Sequence, residues 1–271
     1  MFKIIERTGA GSFGVVFKAI QEETNNIVAL KITQKCGNLE SREIRILEQI
    51  SHKNIIKLLS SYLFKGTNGV TYQMMVTGYY PLTLKEYLQS FKVLSLPQCK
   101  RFIKQLCEAV AHIHSNSIIH RDIKSDNILL SPMEDLLILA DFGSAKNAND
   151  EIKTNYIGSR FYRAPEMLLN ASYDEKVDVW AIGCVLYECL EGKPPFLGES
   201  TADQINKIIK VLGTVEDDEI RKQLPKIPGD KNALITGNTV EASDVLNKIF
   251  VMNPQNRISA EDLTRHPFFQ I

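Results

Sequence analysis

His120-Arg121-Asp122-Ile123-Lys124-Ser125-Asp126-Asn127 runs straight into the apolar stretch Ile128-Leu129-Leu130, and after a turn over residues 131–135 a second apolar stretch ends in Asp141-Phe142-Gly143. Two short apolar runs separated by a polar turn read as a β-hairpin. The ends of that hairpin would deliver Asp122, Asn127 and Asp141 to one place. Carboxylate and carboxamide oxygens are the hard ligands that Mg²⁺ prefers, and Asp122 could orient a hydroxyl. The pattern suits metal and phosphate chemistry.

Toward the N-terminus, Val28-Ala29-Leu30-Lys31 puts one lysine at the end of an otherwise apolar strand, where burial of the ammonium requires an anionic partner. Glu43 is the candidate partner. It lies in a helical pattern over residues 39–50, in which Leu39, Ile44, Ile46, Leu47 and Ile50 alternate with charge and Ser41 is an early cap. Further back, Gly9-Ala10-Gly11-Ser12-Phe13-Gly14 is a G-x-G-x-x-G run whose backbone, freed of Cβ atoms, can approach phosphate oxygens. A dinucleotide fingerprint would open a helix and place an acidic residue about 20 positions on. Here Val15-Val16-Phe17 continues as strand, and Gln34 stands where the acid should be. The glycines therefore read as a flap between two strands. On the C-terminal side, Ala164-Pro165-Glu166 precedes Asp178-Val179-Trp180, which opens an apolar helix.

Residues 2–7, 15–21, 27–33 and 72–77 are rich in β-branched and aromatic side chains and predict strands. After Pro81 the pattern turns helical, over residues 84–89 and then 97–115. A small sheet lobe thus precedes a larger helical one. Of the 271 residues 44% are hydrophobic and 24% charged, which supports a packed core and excludes general disorder. The 32 basic and 32 acidic residues cancel, so there is no electrostatic basis for a general nucleic-acid or membrane-surface binder. The longest stretch free of Asp, Glu, Lys and Arg, residues 66–84, is broken by Gly, Asn, Gln, Thr and Pro, and no membrane-spanning helix is expected. Five cysteines without C-x-x-C spacing fit free thiols in a reducing compartment, with no zinc site. With no apolar leader and Phe2 in place of a myristoylation glycine, the expected address is cytoplasm or nucleus.

The ordered set closely resembles the eukaryotic protein kinase family, whose signatures are the glycine-rich loop, V-A-I-K, H-R-D…N, D-F-G and A-P-E. All five occur in order, with Leu30 in place of Ile. Asn253-Pro254-Gln255-Asn256-Arg257 and His266-Pro267-Phe268-Phe269 look like the usual end of such a domain. The resemblance implies an α+β, bilobal protein kinase fold in one domain, residues 1–269. A small antiparallel β-sheet N-lobe with one main helix (1–77) would be joined by a hinge (78–81) to a larger, mainly helical C-lobe (82–269).

It also implies roles for individual residues. Asp122 would be the catalytic base and Lys124 would sit on the γ-phosphate of ATP. Lys31 would hold the α- and β-phosphates while pairing with Glu43, and Asn127 and Asp141 would bind Mg²⁺. Thr8-Gly9-Ala10-Gly11-Ser12-Phe13-Gly14-Val15-Val16, with Ala29 and Leu129, would sandwich the adenine. Thr77 would guard the back of that pocket, and Tyr79 and Tyr80 would belong to the hinge. Lys124 two residues after Asp122 is what serine/threonine kinases carry.

Within that class the chain most resembles the glycogen synthase kinase 3 group, relatives of the cyclin-dependent and MAP kinases. The residues responsible are Asp141-Phe142-Gly143-Ser144-Ala145-Lys146, Tyr156-Ile157-Gly158-Ser159-Arg160-Phe161-Tyr162-Arg163, and Ile208-Ile209-Lys210-Val211-Leu212-Gly213-Thr214. By that resemblance Arg42, Arg121 and Lys146 gather into a pocket for a phosphate already present on the substrate, four residues C-terminal to the acceptor. Tyr156 would be phosphorylated by the enzyme itself, with Arg160 and Arg163 near enough to receive the phosphate. The implied partners are protein substrates and a possible scaffold or regulatory protein, with neither nucleic acid nor membrane. The segment over residues 215–241 is shorter than in such relatives, so their scaffold docking does not carry over, and no inhibitory phosphoserine segment is expected in cis.

Ser125 and Asp126 stand where Pro and a polar residue are usual, and Gly158 replaces a bulkier one; none of these is expected to touch a catalytic role. Two other readings compete. A cyclin-dependent type would need a regulatory subunit, but its contact helix motif is replaced here by Asn38-Leu39-Glu40-Ser41-Arg42-Glu43. A pseudokinase scaffold would need a broken catalytic set, and Lys31, Glu43, Asp122, Asn127 and Asp141 are all in place.

Overall fold

The β-branched and aromatic runs near the N-terminus pair into one antiparallel sheet of β1 (Phe2–Gly11), β2 (Gly14–Gln21), β3 (Asn26–Gln34), β4 (Leu58–Lys65) and β5 (Thr71–Gly78), in the order β1-β2-β3-β5-β4. The computed structural model describes residues 1–11, 14–35, 41–131, 133, 135–150, 158–213, 228–234, 237 and 239–270. Four of the five strands match the sequence expectation. β4 does not: Ser60 and Ser61 interrupt its apolar composition, and as an edge strand it leaves Leu59, Tyr62, Leu63 and Phe64 exposed, so its burial pattern carries little alternation.

One helix, α1 (Arg42–Gln49), accompanies the sheet. Ser41 caps it, its hydroxyl accepting the Ile44 N–H at 3.4 Å, and the positive end of the helix favours Glu43 in its first turn. Ile44, Ile46 and Leu47 face the core. Residues 39 and 40, expected to begin this helix, lie outside the described residues.

Past β6 (Leu82–Thr83) helices dominate. Thr83 and Glu86 form a reciprocal capping box that starts α2 (Leu84–Phe91). Ser95 and Pro97 start α3 (Leu96–Ser115), whose apolar stripe is fully buried. After β7 (Ile118–Ile119) comes the hairpin of β8 (Ile128–Leu130) and β9 (Leu137–Leu139), with Ile128 opposite Leu139. β8 also pairs with β6, and β10 (Lys146–Asn147) pairs with β7. The rest is α4 (Pro165–Leu168), α5 (Lys176–Glu191), α6 (Thr201–Leu212), α7 (Ser243–Ile249) and α8 (Ala260–Thr264). The architecture is the expected α+β one, a five-stranded antiparallel sheet followed by a mainly helical part.

Most of the core lies around α5, which is buried on every face from Val177 to Leu190, the pattern of a central helix. Trp180, Phe196 and Phe250 interlock there with ring centroids 5.0–5.7 Å apart. Gly183 admits this approach: a Cβ would collide with the Ile249 side chain and come within 3.0 Å of the Phe250 ring. Gly183→Ala should therefore overpack the core and cost about 1–3 kcal/mol, read as a lower denaturant midpoint at unchanged m-value. An unshifted midpoint would show that α7 gives way freely.

Cys99, Cys107, Cys184 and Cys189 are buried free thiols. Burial pushes the Cys107 and Cys184 thiols up, which keeps them protonated and unreactive. No helix among the described residues is long and apolar enough to cross a membrane.

Candidate active site

β3 and α1 supply the first cluster. The Lys31 ammonium donates to Glu43 Oε1 at 2.9 Å, Glu43 Oε2 at 2.8 Å and Asp141 Oδ1 at 2.8 Å. Burial alone would lower the pKa of Lys31, but the two carboxylates more than offset it and hold the ammonium charged, above its ordinary value. Asp141 is likewise pushed up by burial and then brought below its ordinary value by Lys31. Its backbone is left-handed at φ 58°, an uncommon conformation for a residue other than glycine.

The second cluster surrounds Asp122. Lys124 Nζ donates to Asp122 Oδ2 at 2.9 Å, and the Asn127 amide donates to the same oxygen at 3.0 Å and to the Asp122 carbonyl at 2.8 Å. With both amide hydrogens used, Asn127 keeps Oδ1 as an acceptor. The Ser159 N–H donates to Asp122 Oδ1 at 3.1 Å. Gly158 makes that contact feasible: it sits at φ +79°, and a Cβ there would be 2.6 Å from the Arg121 carbonyl oxygen. Gly158, expected to touch no catalytic role, packs on the backbone of the catalytic loop so closely that a Cβ would not fit.

What holds this loop is Asp178, at the start of α5. Its two oxygens accept the His120 and Arg121 N–H groups, each at 2.8 Å, and His114 Nε2 lies 3.0 Å from Oδ2. Full burial pushes the Asp178 carboxyl up, but His114 and these neighbours outweigh it and the group lies below its ordinary value. His120 Nε2 in turn contacts the Ala140 carbonyl at 3.1 Å, tying the loop to the residue that follows β9 and precedes Asp141. The sequence marked Asp178 only as a helix start. The available signal was an acid opening an otherwise apolar helix, which needs partners once buried.

Ile128 pairs with Leu139 and the Ala140 N–H donates to the Asn127 carbonyl at 2.9 Å, so Asn127 and Asp141 flank the paired end of the hairpin. Two hard oxygens fit a divalent cation that arrives on a polyphosphate and takes its remaining ligands from phosphate and water. No group of three or more His, Cys, Asp or Glu able to hold a metal occurs among the described residues.

Of the residues expected around the nucleotide, those described lie on β1, β2, β3, β5 and β8, with Tyr79 and Tyr80 directly after β5. Gly9 and Gly11 end β1 opposite Val16 and Gly14. Gly14, at φ +131°, has no room for a Cβ, which would collide with the Ile32 carbonyl oxygen and come within 2.8 Å of Thr33 Cγ2. Thr8 is exposed and Val15 and Val16 are half-buried. Ala29 stands opposite the buried Thr77. Leu129 and Tyr80 are half-buried, and Lys18 lies 4.8 Å from the centre of the Tyr79 ring. Ala10 belongs to β1. Ser12 and Phe13 lie outside the described residues.

Of the expected phosphate pocket, Arg121 Nε donates to the Ser144 carbonyl at 2.7 Å and Nη1 to the Tyr173 hydroxyl at 3.0 Å. Lys146, placed opposite Ile119 by the β10–β7 pairing, lies 5.0 Å above the Tyr173 ring. Arg42 opens α1, which packs on the 142–144 turn that Arg121 grips. Tyr173 thus joins two of the three cations, and nothing local in the sequence announces it. Arg160 Nη1 donates to the Gly198 and Glu199 carbonyls at 3.2 and 2.5 Å, and Arg163 donates to the Gly158 carbonyl at 2.9 and 2.5 Å. Tyr156 lies outside the described residues.

A family model described as protein kinase domain matches residues 2–269 of the chain. "Probable serine/threonine-protein kinase glkA" of Dictyostelium discoideum is 40% identical over 99% of the chain and 59% of its own length. "Glycogen synthase kinase 1" of Pyricularia oryzae is 38% identical over 96% of the chain and 70% of its own length. "Protein kinase gsk3" of Schizosaccharomyces pombe is 36% identical over 96% of the chain and 72% of its own length. The chain therefore spans 59–72% of the length of these relatives.

Proposed function

The chain belongs to the protein kinase family, and from that premise we propose that it transfers the γ-phosphate of ATP to serine or threonine of protein substrates, favouring those already phosphorylated four residues C-terminal to the acceptor. The observation that carries this reading is the Asp122 carboxylate, held from one side by Lys124 and Asn127 and from the other by the Ser159 N–H. Oδ2 already accepts from Lys124 and Asn127, whereas Oδ1 accepts the Ser159 N–H and keeps a second lone pair. Through Oδ1, Asp122 accepts the hydrogen bond of the incoming hydroxyl, aligns it and takes up its proton as the P–O bond forms. Lys124 meets the charge that develops on the transferring group. Lys31, kept cationic by Glu43 and Asp141, binds the phosphates that stay behind as ADP. Asn127 and Asp141 would hold Mg²⁺, which when bound offsets phosphate charge. The Lys31–Glu43 pair forms within one chain, which supports activity without a regulatory subunit. Cytoplasm or nucleus is the proposed compartment, a reading the buried free thiols support.

The preference for primed substrates rests on Arg121 and Lys146 flanking Tyr173, with Arg42 beside the same turn. A four-residue extended span of about 13 Å links acceptor to priming phosphate. Charge-assisted bonds of this kind should raise kcat/KM about ten- to a hundred-fold for a primed peptide over its unprimed twin. Arg42→Ala should shrink that ratio. Equal rates on the two peptides with the wild-type protein would remove the preference and leave an ordinary serine/threonine kinase.

A further inference from the structure

Ser125 lies inside the catalytic segment and is 1% exposed. Its hydroxyl donates to Glu188 Oε1 at 2.9 Å and lies 3.2 Å from the Tyr162 hydroxyl, which itself donates to Glu188 Oε2 at 2.7 Å. Burial first, and Glu188 after it, push the Tyr162 phenol well up, so it remains a donor. Three segments therefore meet at one buried carboxylate: the catalytic loop, the 160–162 turn and α5.

The position of this junction gives it a consequence. Ser125 is the second residue of a turn closed by the Asn127 N–H donating to the Lys124 carbonyl at 3.0 Å. Lys124 and Asn127 are the two residues that contact Asp122 Oδ2. Tyr162 ends the short turn that follows Ser159, whose N–H contacts Asp122 Oδ1. Both sides of the Asp122 carboxylate are thus referenced to Glu188, one through Ser125 and one through Tyr162. Asp178, on the same helix and about 15 Å along its axis, grips His120 and Arg121. One rigid helix fastens the catalytic segment at both ends.

We propose that Ser125 is a positioning residue for phosphoryl transfer: its hydroxyl, bonded to Glu188, sets the turn that holds Lys124 and Asn127 against Asp122. The proposal departs from the expectation that Ser125 touches no catalytic role, and it rests on the kinase reading above. Angular placement of such groups governs rate more than ground-state binding, so the effect belongs in kcat. Removing the hydroxyl also leaves Glu188 Oε1 without this donor in a buried site, and the turn is free to shift to find another.

The test uses the full chain with Mg·ATP and an acceptor peptide, assayed well below the melting temperature of every variant. Ser125→Ala should lower kcat about ten-fold while the KM for ATP stays within about two-fold, and Ser125→Thr, which keeps the hydroxyl, should restore most of the rate. Tyr162→Phe combined with Ser125→Ala should be non-additive, since both act through Glu188. A wild-type kcat in Ser125→Ala, with or without a lower melting temperature, would overturn the proposal and leave a purely structural hydrogen bond. Equal losses in Ser125→Ala and Ser125→Thr would also overturn it. Amide exchange supplies a readout independent of turnover: residues 122–127 should exchange faster in Ser125→Ala while α5 stays protected, and unchanged exchange counts against the idea. A wild-type chain that phosphorylates no serine or threonine would sink the kinase reading alone, with the exchange arm still deciding whether Ser125 holds the turn.

Discussion

Asp122→Asn should lower kcat by about three orders of magnitude while leaving the KM for ATP within a few-fold. The side chains are nearly isosteric, so the backbone around residue 122, clamped through its neighbours by Asp178, has no reason to move. The chemistry changes instead. An amide cannot take up the acceptor proton, and its NH₂ group must face either the Lys124 ammonium or the Ser159 N–H, each of which now donates to a carboxylate oxygen. The Lys31–Glu43–Asp141 cluster is untouched, which is why nucleotide affinity should survive. Asp141→Asn is the informative contrast. It removes one partner of Lys31 and one expected cation ligand, so it should raise the KM for Mg·ATP as well as lower kcat. Comparable phosphotransfer by both variants and the wild type would show that the measured activity comes from a contaminant and that these carboxylates do no chemistry.

The parts of this site that the sequence disclosed are those whose geometry is local. Asp122, Lys124 and Asn127 fall within one short loop, and a tight hairpin must return the chain to Asp141. An ammonium at the end of an apolar strand needs an anion, which points from Lys31 to Glu43, and the two meet at 2.8 Å. What stayed hidden depends on partners remote along the chain. Arg121 meets Tyr173 across 52 residues, Arg121 meets Asp178 across 57, and Ser125 meets Glu188 across 63. Periodicity reports which face of an element is apolar and cannot report which two buried polar groups satisfy each other. Gly158 shows the same limit from the other direction. Its departure from the relatives was visible, but its meaning required knowing that the Arg121 carbonyl lies where a Cβ would go. β4 escaped for a different reason: an edge strand buries too little to imprint a period of two on its residues.

The largest stability effect should come from the pair that ties the segment after Gly158 to the C-terminal end of the fold. Arg257 Nη1 and Nη2 donate to Glu166 Oε1 and Oε2 at 2.7 and 3.1 Å, and both side chains are almost entirely inaccessible. The guanidinium also donates to the Val251 and Lys176 carbonyls and stacks 5.1 Å from the centre of the Trp180 ring. Such a pair contributes little relative to apolar residues of the same shape, because desolvating two charges cancels most of their attraction. Removing only one partner is another matter, since the other charge is left buried without compensation. Arg257→Met, which keeps much of the side-chain volume over Trp180, should therefore destabilise the protein by about 3–5 kcal/mol, a melting temperature lower by the order of 10 °C. Arg257→Met combined with Glu166→Gln should recover part of that loss, because no net charge then remains inside and the coupling becomes visible as non-additivity. Scanning calorimetry or denaturant unfolding of the four proteins completes the cycle. If Arg257→Met unfolded within about a degree of wild type, water would have to reach Glu166, and the anchoring of α4 would have to be assigned to apolar packing of Met167 and Leu168 instead.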